Sequence, residues 1–65
     1  MINKNGVEIS VGKQRRFFQK RYFIKIDNVV KYYYNEFLFW KVFFRICDEY
    51  ELDRVERFEL GSPLK

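Results

Sequence analysis

The hydrophobic and polar positions keep a two-residue period through the first half of the chain and change to a helical one near residue 36. Val7, Ile9 and Val11 alternate with Glu8 and Ser10, the pattern of a half-buried strand. Asn5-Gly6 precedes them, a pair strongly favoured in two-residue hairpin turns. Gly12 reads as the end of that strand.

Residues 15–26 do not sort on a helical projection, where Phe17, Phe18, Tyr22, Phe23, Ile24 and Ile26 scatter round the circumference. Alternation sorts them. Phe18, Tyr22, Ile24 and Ile26 share one strand face with Lys20, and Arg15, Phe17, Gln19, Arg21, Phe23 and Lys25 share the other. The expectation is one strand across the whole stretch. Asp27-Asn28 then suits a second hairpin turn, and Val29 to Tyr34 is rich in strand formers.

Residues 37–46 fit two periods. As a strand they leave Phe37, Phe39 and Phe43 on the face opposite Leu38, Trp40, Val42, Phe44 and Ile46. As a helix, Phe39, Trp40, Val42, Phe43, Ile46, Cys47 and Tyr50 fall on one side, and Lys41, Arg45, Asp48, Glu49 and Glu51 on the other. Leu38 and Phe44 are the exceptions. Asn35 is a good N-cap and Glu36 suits the first turn, so the helix is the preferred reading. Beyond Tyr50 the apolar stripe rotates to Leu52, Val55 and Phe58, which implies a bend or a second short helix. Gly61 and Pro63 form a stop signal.

The expected fold is therefore α+β. A small antiparallel sheet of about three strands, built from the first 34 residues, packs against a C-terminal amphipathic helix. An all-β small barrel is the alternative if 37–46 is a strand. Residues 1–60 form one domain and 61–65 a flexible tail.

Charge adds a second asymmetry. The 65 residues carry a net charge of +4, unevenly placed. Residues 1–45 hold ten Lys and Arg against three acids, and residues 46–65 hold three against six. The result is a basic body with an acidic end, suited to acidic partners. The surplus of Phe, Tyr, Lys, Asn and Ile, with no Ala, Thr or His, suggests AT-rich coding of the kind found in phages and other mobile elements. Eight Phe, five Tyr and one Trp are more rings than so small a domain can enclose, so aromatic surface is expected at an oligomer or partner interface.

Few groups can carry covalent chemistry. Cys47 lies on the apolar side of the helix and the chain has no histidine to activate it. A single cysteine makes no internal disulfide, and no ligand spacing points to a metal or other cofactor. The glycines at 6, 12 and 61 form no phosphate-binding loop. The apolar run 37–47 is too short and too charged to span a bilayer, and 1–9 has no signal-peptide core. A cytoplasmic protein without enzymatic activity or membrane partner is expected.

The candidate binding residues are Lys13, Arg15, Arg16, Phe17, Lys20, Arg21, Phe23 and Lys25, with Tyr33 from the tyrosine run. Cations and rings alternating along one face would give phosphates a charged track and bases a stacking surface. The same residues would serve an acidic protein surface, or merely keep a strand soluble. The first functional reading is an interaction protein that binds a host protein or nucleoprotein complex and inhibits it by occlusion. A nucleic-acid-binding accessory protein of the ribosome or of replication is the alternative, and a structural homo-oligomer the third.

Overall fold

The structure is a computed structural model and describes residues 1–64. Four antiparallel strands run in the order β1 (Ile2–Lys4), β2 (Val7–Arg16), β3 (Gln19–Ile26) and β4 (Val29–Tyr33), each paired with the next in an open sheet. Two helices follow, α1 (Glu36–Glu49) and α2 (Arg54–Gly61), and a 3-10 turn at Ser62–Leu64. The α+β class stands, with four strands instead of three. The barrel alternative fails because 37–46 lies in α1 and the sheet does not close.

The main departure lies at residues 15–26. They are not one strand but two, folded back at Phe17-Phe18 with Arg16 opposite Gln19. A twelve-residue strand would run about 40 Å, longer than the molecule's greatest extent of 36 Å. Gly12 does not end β2. It is buried within the strand because the Phe23 ring lies across it, and an added Cβ would come within 2.5 Å of that ring.

One sheet face packs on the helices. Ile9 pairs with Ile26 and Val11 with Ile24, and Tyr22 lies opposite Lys13 on one side and Tyr33 on the other. Ile2, Ile9, Val11, Tyr22 and Ile24 meet Phe39, Phe43, Ile46 and Cys47 of α1, with Leu52 and Leu60 closing the core. Trp40, Val42 and Tyr50 are half-buried, so the expected apolar side of the helix is the observed one. Phe39 is its centre: its ring centroid lies 4.7 Å from Tyr22, 5.3 Å from Trp40, 6.0 Å from Phe43 and 6.3 Å from Tyr33.

Both helices are capped by their own sequence. The Asn35 side chain accepts from the Leu38 N–H at 3.2 Å. Glu51 turns the chain at φ 53°, and Asp53 and Glu56 then cap α2 reciprocally, at 2.8 and 3.1 Å. Glu56 also holds Lys4 at 3.0 Å, tying α2 to β1. Leu64 packs against the core. Of the expected 61–65 tail, Lys65 lies outside the described residues.

Candidate basic-aromatic hairpin

The β2–β3 hairpin runs past the helices. Tyr22 stacks under Phe39 near the start of α1, and the rows beyond that pair have no cover. All residues from Lys13 to Lys20 are exposed. No acid occurs between Ile9 and Ile26, while six cations do: Lys13, Arg15, Arg16, Lys20, Arg21 and Lys25.

The fold-back redistributes these residues. Arg15 pairs with Lys20 and Lys13 with Tyr22, so Lys13, Arg15 and Lys20 stand on the helix side of the sheet. Arg16, Gln19, Arg21, Phe23 and Lys25 stand on the open side, with Gln14 and Tyr32. The expected face of alternating cations and rings thus loses Arg15 to the other side and Phe17 to the turn. Charge now surrounds the hairpin instead of lining one side.

On the open side, Arg21 lies 4.2 Å above the Tyr32 ring and its Nε donates to Gln14 Oε1 at 2.9 Å. Phe23 covers Gly12 and tilts against Tyr32 at 6.5 Å. These rings are engaged by their neighbours. Tyr33 turns inward against Phe39 and does not join the hairpin; the exposed tyrosines are Tyr32 and Tyr34.

The turn departs most from what stability favours. Phe17 takes φ 58°, a left-handed conformation that costs an L-residue about 1–2 kcal/mol. The other two hairpin turns put Asn5 (before Gly6) and Asp27 in that position, residues whose short polar side chains tolerate it. Asp27 also gains backbone support: its N–H donates to the Glu8 carbonyl at 2.8 Å, and its carboxylate accepts from the Glu8 N–H at 3.2 Å. The Phe17 and Phe18 side chains are 86 % and 100 % exposed, against 0 % for Phe39. The Arg16 guanidinium lies 5.9 Å from the Phe17 ring. Directly below, Arg15 faces Lys20, a like-charged pair that weakens the hairpin.

The opposite end of the sheet is where the acids collect. Glu8 and Asp27 meet at the β3–β4 turn, Asp48 and Glu49 end α1, and Glu51 and Asp53 lie just beyond it. The hairpin tip therefore carries cations and two exposed rings while these carboxylates lie towards the other end of the sheet. Glu36, which accepts a hydrogen bond from Trp40 and lies by Tyr22, is an acid nearer the hairpin, and Phe37, Phe44 and Phe58 are exposed on the helices.

Cys47 is fully buried and its thiol is pushed up, chiefly by burial, which suits a core side chain and not a nucleophile. An apolar groove between α1 and α2 is lined by Trp40, Phe43, Phe44, Phe58 and Leu64. No helix among the described residues is long and apolar enough to cross a membrane. Searches of protein families, curated protein sequences and solved structures return no match to this chain.

Proposed function

We propose that the protein is a non-enzymatic interaction protein whose contact element is the β2–β3 hairpin, and that it grips the phosphate surface of a nucleic acid or nucleoprotein complex. The observation that carries this reading is the combination at the hairpin end: a strained turn of two bare rings above an unneutralised Arg15–Lys20 pair. The left-handed Phe17 and the Arg15–Lys20 pair each lower stability, and among the described residues only the Arg16 guanidinium near the Phe17 ring supports the turn, as expected where a partner supplies the compensation. Six cations spread over both sides of a narrow ribbon match a partner that surrounds the ribbon with anions, as groove walls do. Seated in this way, the protein would act by occlusion, denying the site to other proteins.

The test is binding of labelled nucleic acid by the full chain at about 50 mM salt. The variant Arg15→Gln, Arg16→Gln, Lys20→Gln, which leaves Arg21 on Tyr32 and Gln14, should lose most affinity while its melting temperature holds or rises. Wild-type protein that binds neither duplex nor single strands at that salt concentration overturns the proposal.

A further inference from the structure

Resting on that reading, we infer that the partner is duplex DNA and that Phe17 and Phe18 act as a wedge, entering between stacked base pairs and bending the duplex. Three observations converge on it.

The first is the state of the rings. Single-stranded nucleic acid needs aromatic faces free to stack along its path. Phe23 is laid over Gly12, and one face of Tyr32 is taken by Arg21. The uncovered rings of the hairpin are the two at its tip, 86 % and 100 % exposed. They form a point, not a platform.

The second is shape. From the Lys13–Tyr22 row to the tip is four residues, about 13 Å of two-stranded ribbon. A two-stranded ribbon fits the major groove of B-DNA, about 12 Å wide and about 8.5 Å deep; the minor groove, about 6 Å wide and about 7.5 Å deep, takes it where bending opens the groove. The ribbon is long enough to bring its tip to the base pairs while the body stays outside.

The third is the order of charge behind the tip. Arg15, Arg16, Lys20 and Arg21 flank the Phe pair within four residues, on both sheet sides. A wedge in the groove has phosphates on both walls, and cations on both sides of the ribbon meet both. Apolar wedges that part a base step expend unstacking energy to gain a bent duplex with more protein contact.

The experiment uses a duplex of about 24 base pairs with a central TA step, the kind of step most easily unstacked. 2-Aminopurine placed beside the step reports unstacking, and a dye pair at the two ends reports bending. Wild-type protein should raise the 2-aminopurine emission and shorten the end-to-end distance. The variant Phe17→Asn, Phe18→Gly keeps the cations and takes a favoured turn sequence. It should bind with a salt dependence within about one unit of the wild-type slope, yet produce neither signal. Wild-type binding without unstacking or bending overturns the wedge and leaves nucleic-acid binding standing, as does binding confined to single strands. Absence of all nucleic-acid binding overturns both.

Discussion

Phe39 and Phe18 are the same side chain under opposite conditions. Phe39 is fully enclosed and meets four other rings. Phe18 is fully exposed at the hairpin tip, beside a Phe17 held at φ 58°. The body largely follows the usual logic of a small domain: a continuous apolar core, capped helices and hairpin turns made by Asn, Gly and Asp, although Glu51 also takes a positive φ and Phe37, Phe44, Val55 and Phe58 are exposed on the helices. The hairpin end breaks that logic in turn residue, in exposure and in cross-strand charge. At the hairpin end the three coincide within six residues, and such a concentration is where function is expected, because stability alone would have removed it.

Substitutions sharpen the contrast. The largest expected effect is in the body. Phe39→Ala should cost about 3–5 kcal/mol in chemical denaturation, enough to unfold most of the protein. Phe18→Ala should change stability by less than about 0.5 kcal/mol. Comparable losses at the two positions would mean the tip is part of the core after all.

Gly12→Ala comes next. A Cβ there would lie 2.5 Å from the Phe23 ring, so the ring must swing off the sheet, at about 1–3 kcal/mol. The Arg21–Tyr32–Phe23 cluster should loosen with it, visible as changed ring shifts in NMR spectra. Unchanged stability would mean that Phe23 does not rest on Gly12.

The turn should respond with the opposite sign. Phe17→Asn with Phe18→Gly relieves the left-handed Phe and should stabilise the fold by about 1 kcal/mol. In a domain of this size that is about 4–8 °C in Tm. A lower Tm would show that the bare rings support the fold.

The smallest effect is alkaline. Cys47 and Tyr22 are pushed above their ordinary values mainly by burial, and Lys4 mainly by its hydrogen bond to Glu56. Each group therefore holds its proton more tightly folded than unfolded. The stability this contributes is fully present below the ordinary values of 9.0, 10.0 and 10.5, and is lost as pH rises through the folded ones. Stability should decline from about pH 9 upward, and Cys47→Ala should flatten the first part of that decline.

The two regions were also unequally legible. The helix over 36–50 was readable because its apolar residues recur at 3.6-residue spacing behind an Asn cap, a pattern that core burial requires. That Tyr22, Ile24 and Ile26 share one face was readable from their two-residue alternation, but which face turns inward was not. The Phe17-Phe18 turn was not, since turns are read from Gly, Asn, Asp and Pro, and this one has none. Strict alternation therefore ran straight through it and placed Arg15 on the wrong side. A signal was present all the same: no acid between Ile9 and Ile26, and a strand too long for so short a chain. The Asp53–Glu56 capping box was equally open to reading and would have fixed the start of α2. Tyr33 could not be assigned from sequence, because alternation in a tyrosine run leaves the inward residue undetermined until register is known.

The salt dependence of nucleic-acid binding is the most direct test of the hairpin's role. With four to six phosphates neutralised, the log–log slope against salt should be about −4 to −5 for duplex DNA, at about −0.9 per contact. Arg15→Gln with Lys20→Gln should make it shallower by about two. Absent binding at low salt, or a slope the double substitution leaves unchanged, would contradict the assignment of this hairpin as the nucleic-acid contact.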